Sequence, residues 1–101
     1  MIRSLKILTE ASIDIKEITT WYKNISSTLA SRFVSQLYDG FAKIIENPNV
    51  WFNLTKTIKR YRLPGFPYLI LFFKEEDNIV VFAVIHEKRN PKNWRNKIRR
   101  K

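Results

Sequence analysis

The chain has 101 residues, 45% of them hydrophobic and 28% charged, a globular composition long enough for one core and too short for two. It holds no cysteine and a single histidine, which excludes a disulfide framework, a thiolate zinc site and a multi-histidine metal site. Nineteen Lys and Arg against nine Asp and Glu give +10, and residues 56–101 alone carry +9, so an anionic partner is expected, either nucleic acid or an acidic protein.

Residues 1–8 lead directly into alternation, with Leu5 and Ile7 on one side and Lys6 on the other, as in a strand. There is neither the apolar run nor the cleavage site of a signal peptide, and Leu69 to Phe73 falls far short of the ~20 residues of a membrane-spanning helix. A soluble, cytoplasmic protein with no membrane partner is expected. Thr9 is placed to cap a helix whose first turns carry Glu10, Asp14 and Glu17, where the macrodipole favours negative charge. Ile15, Ile18, Tyr22 and Ile25 form its apolar face, with Trp21 on the shoulder. Ser26 or Ser27 then caps a second helix in which Leu29, Phe33, Leu37, Phe41, Ile44 and Ile45 keep the 3.6 period. Gly40 inside it costs about 1 kcal/mol relative to Ala, which predicts close packing on a neighbour. Asn47-Pro48-Asn49 ends the helix, because the residue before proline resists the α conformation.

Val50 to Leu54 reads as a bulky connector plugging the core edge, and Lys56 to Leu63 as a strand. Pro64-Gly65 turns the chain into a hairpin of two apolar strands, Phe66–Phe73 and Ile79–His86, separated by Glu75-Glu76-Asp77-Asn78. Those acids read as a solvated turn rather than a metal site, and no cofactor is expected. The order is β-α-α-β-β-β: an α+β domain over residues 1–101, its two-helix hairpin packed on one face of a small antiparallel sheet, with a basic tail at 94–101. Strict alternation puts Val80, Phe82, Val84 and His86 on one side of the last strand and Ile79, Val81, Ala83 and Ile85 on the other. Two helices cover one face only. An opposite face bearing Tyr68, Ile70, Phe72, Val80, Phe82 and Val84 is therefore expected to stay exposed and to bind a partner.

Two basic groups are candidates for one anion cradle. Lys56, Lys59, Arg60 and Arg62 lie on one strand, and Lys88, Arg89, Lys92 and Arg95 follow the hairpin. Such residues contact phosphates, giving affinity without sequence selectivity. His86 is the one side chain that titrates near neutrality unperturbed. With Lys59, Arg62 and Arg89 it makes a candidate set for RNA cleavage, the imidazole moving a proton and the cations stabilising the phosphate. The structural alternative has His86 capping the sheet edge and Arg89 pairing with Glu87 or a carbonyl; one histidine without a second acid–base partner favours that alternative.

The chain resembles the ParE/RelE superfamily, the small basic toxins of type II toxin–antitoxin (plasmid stabilisation) modules. The resemblance rests on Ala11, Asp14 and Ile18, on Trp21-Tyr22, on Leu29-Ala30-Ser31-Arg32-Phe33 and on Ile44-Ile45-Glu46-Asn47-Pro48. It continues through Phe66-Pro67-Tyr68 and Ala83-Val84-Ile85-His86 to Arg89, Pro91 and Trp94, nearly the whole chain in the family's order. It implies two helices on a small antiparallel sheet, and an acidic antitoxin whose flexible segment wraps the toxin in a hetero-oligomer, meeting the basic half and the apolar sheet face. ParE-like members poison DNA gyrase by binding it; RelE-like members are ribosome-dependent mRNA endonucleases, commonly with a C-terminal Tyr or His. Here no Tyr follows Tyr68 and Trp94 stands in that region, although His86 and Arg89 are kept. The ParE-like branch fits best, ahead of the mRNA endonuclease and of a non-toxic basic nucleic-acid-binding module.

Overall fold

Both periodicities read from the sequence become elements in the computed structural model, which describes residues 4–88. Strand β1 (Ser4–Ile7) leads into helices α1 (Thr9–Ile25) and α2 (Ser27–Glu46), and a 3-10 turn (Pro48–Val50) follows. Four further strands complete the chain: β2 (Phe52–Asn53), β3 (Lys59–Arg62), β4 (Tyr68–Glu75) and β5 (Asn78–His86). The sheet runs β1-β5-β4-β3-β2. The β3–β4 and β4–β5 pairings are antiparallel as expected; Phe52–Asn53, expected to be part of a connector, adds a further antiparallel edge strand, and β1 lies parallel to β5, with Ser4 opposite Asn78 and Ile7 opposite Val81. The sheet is therefore mixed, because a strand's own alternation specifies its faces and says nothing about its neighbour.

The helix boundaries follow local chemistry. Thr9 is not the cap of α1. That position falls to Leu8, whose N–H still donates to Val81 O at 2.9 Å, so the β1 ladder runs to the first residue before the helix. Between the helices Ser26 does the capping, its hydroxyl accepting from Leu29 N–H, while its own N–H closes α1 on Tyr22 O at 2.8 Å. The strand expected over 56–63 is shorter than its alternation, because Thr55 Oγ1 accepts from Thr57 and Ile58 N–H and turns the chain between β2 and β3. Lys56 belongs to that turn.

The main core lies between the helices and the sheet. Phe33, fully buried, meets Phe66 edge-on at 5.6 Å and Tyr68 at 5.8 Å, and Tyr22 meets Phe66 at 5.1 Å. Such edge-to-face pairs add to the area they bury. Gly40 lets α2 approach the sheet closely: a Cβ there would stand 2.8 Å from Tyr61 Cε2 and 3.1 Å from Ile70 Cδ1.

Strand β5 departs from strict alternation. Leu71 opposes Ala83 and Phe72 opposes Val81, so Phe82 is an extra residue, a β-bulge. The bulge inverts the facing of everything beyond it. Ile79, Val81 and Val84 join Ile70 and Phe72 beneath the helices, whereas Phe82, Ala83 and Ile85 pack with Leu69 and Leu71 on the opposite face. The six residues expected to share a partner-binding face are thus divided. Tyr68, Ile70, Phe72 and Val84 pack in the helix-side core, Phe82 lies on the far face, and Val80 is buried opposite Phe73. Nor is the far face bare: Leu69, Leu71, Phe82, Ala83 and Ile85 are at most 5% exposed, with Leu8, Leu54, Ile58 and Phe73 among their neighbours.

Candidate functional site

Strand β3 sorts the basic side chains. Tyr61 opposes Ile70 and points to the helix side, and Lys59, opposite Phe72, shares that side. Arg60 opposes Leu71 and Arg62 opposes Leu69, so both guanidiniums stand on the far side. Residues three apart on a strand face opposite ways, so Lys59 and Arg62 cannot act on one phosphate. Each is also engaged. The Lys59 ammonium donates to Trp51 O at 3.3 Å and to Asn53 Oδ1 at 2.9 Å. Arg62 grips Glu87 with two hydrogen bonds, Nε to Oε1 at 2.9 Å and the second through NH2 at 3.3 Å, and donates to Leu63 O as well. That hydrogen bond is the main reason the Glu87 carboxyl is held below its ordinary range and the Arg62 guanidinium above its own.

At the outer end of β3 the chain presents a cationic, aromatic edge. Phe52, 73% exposed, opposes Arg60, whose guanidinium lies 5.5 Å from the ring centroid. Together with Trp51 and Arg62 they line a cleft of about 270 Å³. Nothing in the composition singled out Phe52; the alternation of Val50 to Leu54 against a paired β3 was the only signal available.

His86 lies in different surroundings. It closes β5 opposite Tyr68, their rings 5.3 Å apart and edge-to-face. Its Nδ1 accepts from Lys88 N–H at 3.1 Å, so in the neutral ring the proton resides on Nε2. The adjoining cavity, about 190 Å³, is lined by Asp14 and Glu17 of α1 together with Tyr68 and His86. Asp14 Oδ2 accepts from Val84 N–H at 3.0 Å, satisfying the edge of β5 where β1 has ended. Two carboxylates beside the imidazole repel a phosphodiester. His86 thus closes the sheet edge, as the structural alternative expected, and Glu87 is held by Arg62.

Among the described residues the cleavage candidates do not converge: Lys59, Arg62 and His86 occupy three separate environments. Lys56, Arg60 and Lys88 are also described and do not form one rim. Lys56 lies in the β2–β3 turn on the helix-side cleft, Arg60 on the far side, and Lys88 just beyond the strand end. Arg89, Lys92, Arg95, Trp94 and the tail at 94–101 lie outside the described residues. No group of three or more His, Cys, Asp or Glu able to hold a metal occurs among the described residues. Nor is any described helix long and apolar enough to cross a membrane.

Two helices on a mixed sheet with these connections define the fold of the ParE toxins. The chain is similar in structure to a protein of the chromosomal ParDE TA system from P. aeruginosa, with a TM-score of 0.73 over 84% of this chain and 96% of that one, at 16% sequence identity. The family model described as "ParE toxin of type II toxin-antitoxin system, parDE" matches residues 5–91, and the chain belongs to that family. No curated protein matches it significantly in sequence.

Proposed function

We propose that this ParE-family toxin acts by binding DNA gyrase, without chemistry of its own, and is held inactive by an acidic antitoxin. The observation that carries the reading is the dispersal of Lys59, Arg62 and His86, each tied to other groups, with His86 beside Asp14 and Glu17. A nuclease needs its acid–base and cationic groups within reach of one phosphate. A toxin that poisons by association needs only a surface.

The antitoxin contact moves with the bulge. With both sheet faces buried, the segment that neutralises the toxin binds the outer edge at β2–β3, where exposed Phe52 offers apolar area and Arg60 a guanidinium suited to carboxylates. Charge complementarity supports an acidic segment there, since the chain carries +10. The complex is a hetero-oligomer of toxin and antitoxin in the cytoplasm, and residues 1–101 act as one domain.

Induced expression in bacteria with paired readouts tests the function. DNA-damage (SOS) induction and gyrase-linked DNA breaks, with translation intact, are the expected result. Translation arrest with mRNA cut at codon boundaries, abolished by His86→Ala or Arg89→Ala, would establish the endonuclease instead.

A further inference from the structure

Three lysines meet on the helix side of the sheet, and one of them, Lys74, belongs to neither of the basic groups that the sequence singles out. Lys56, Lys59 and Lys74 line a cleft of about 220 Å³ on the helix side of the sheet, with Thr57 and Asn49 adding neutral hydrogen-bonding groups and Pro48 an apolar wall. The backbone brings them together. Lys59 opposes Phe72, and Lys74 follows two residues later on the same side of β4, so both stems leave one face. Lys56 reaches the cleft from the turn that the Thr55 hydroxyl holds.

The charge in this cleft is uncompensated. Its lining includes no acidic residue, and none of the three ammoniums has a carboxylate partner among the described residues, where the ion pair found is Arg62–Glu87. Trp51 O and Asn53 Oδ1 occupy two of the three Lys59 donors and fix its head, which leaves a donor for a ligand.

We propose that this cleft is a phosphate site that takes the backbone of duplex DNA. Compact ammoniums bind phosphate as point charges. The guanidiniums Arg60 and Arg62, whose forks match phosphate and carboxylate alike, stand on the opposite face, and Arg62 is already held by Glu87. Alternation along β3 thus separates a lysine cleft from an arginine edge. Duplex is favoured over single strand because the one aromatic in the lining, Phe72, is buried and offers no ring for an unstacked base. Contact through phosphates alone makes binding indifferent to sequence and steeply dependent on salt.

Fluorescence anisotropy of a labelled duplex of about 20 base pairs, titrated with the purified toxin at about 50 to 300 mM salt, tests the site without gyrase. The double variant Lys56→Gln/Lys74→Gln is expected to bind about tenfold more weakly and to lose about 1 to 2 from the slope of log K against log salt. The α1 variant Lys16→Gln/Lys23→Gln should keep the wild-type slope, and circular dichroism confirms that each variant is folded. An unchanged slope and affinity in the Lys56/Lys74 variant overturns the proposal, as does a wild-type chain that does not bind the duplex. So does loss of poly-glutamate binding in that variant with DNA binding retained, which would make the cleft a carboxylate site. Because DNA alone is the probe, either result leaves the gyrase reading to its own test.

Discussion

Gly40 shows how a single residue sets the distance between helix and sheet. Alanine there would gain about 1 kcal/mol of helix propensity, but its Cβ would fall 2.8 Å from the Tyr61 ring, which is buried and meets Trp51 edge-on at 4.7 Å. A buried ring packed against a second aromatic has little room to yield, and overpacking of this kind costs about 1–3 kcal/mol. Gly40→Ala should therefore lower stability by about 1 kcal/mol in urea denaturation; a stabilised variant would show that Tyr61 moves freely. That glycine was legible in the sequence, since only a close approach justifies glycine in mid-helix. The Arg62–Glu87 pair was not, because 25 residues separate partners that only the sheet brings together. Its consequence is a pH dependence. Glu87 is lowered from 4.5 first by the Arg62 hydrogen bond, with burial opposing and the charges of Arg62, His86 and Lys88 assisting. A lowered carboxyl binds its proton more readily in the unfolded chain, so its stabilisation is present above about 4.5 and is lost as pH falls through the folded value. Thermal melts of Arg62→Gln should therefore differ from wild type near neutrality and converge with it in strong acid.

Strand β5 carries the difference between a legible element and an illegible one. Its existence and length were plain from a run of β-branched residues after an acidic turn. Its facing was not, because register is encoded in the contrast between apolar and polar positions, and Ile79 to Ile85 offers none. A bulge at Phe82 leaves no mark in such a run, yet it moved Val84 under the helices and dissolved the expected partner face. The parallel neighbour β1 was hidden for a similar reason. Where β1 stops, Asp14 continues its work by accepting from Val84 N–H at 3.0 Å. Asp14→Ala leaves that donor without its acceptor and should cost about 1–3 kcal/mol, with faster hydrogen exchange at the Val84 amide. Phe33→Ala tests the helix–sheet interface: the buried ring touches three other aromatic rings, and its loss should cost about 3–5 kcal/mol, measured by urea denaturation.

Across the molecule, the two helical periods, the hairpin and the lopsided charge were enough to foresee the β-α-α-β-β-β order, and the family's residues were recognisable along most of the chain. What the sequence could not supply was convergence. Basic residues close in sequence suggest one cradle, but β3 directs Lys59 to one face and Arg60 and Arg62 to the other, and Lys74 joins from a different strand. Among the described residues the same dispersal separates His86 from Lys59 and Arg62 and places it with Asp14 and Glu17. On the proposed reading the protein acts by what it binds. The direct measurement is a DNA cleavage assay with purified toxin, gyrase, plasmid and ATP, run beside a reconstituted translation reaction. Poisoning of gyrase predicts linear DNA released when gyrase is denatured, with mRNA intact and protein synthesis undiminished. Cut mRNA on the ribosome, with gyrase unaffected, would contradict it.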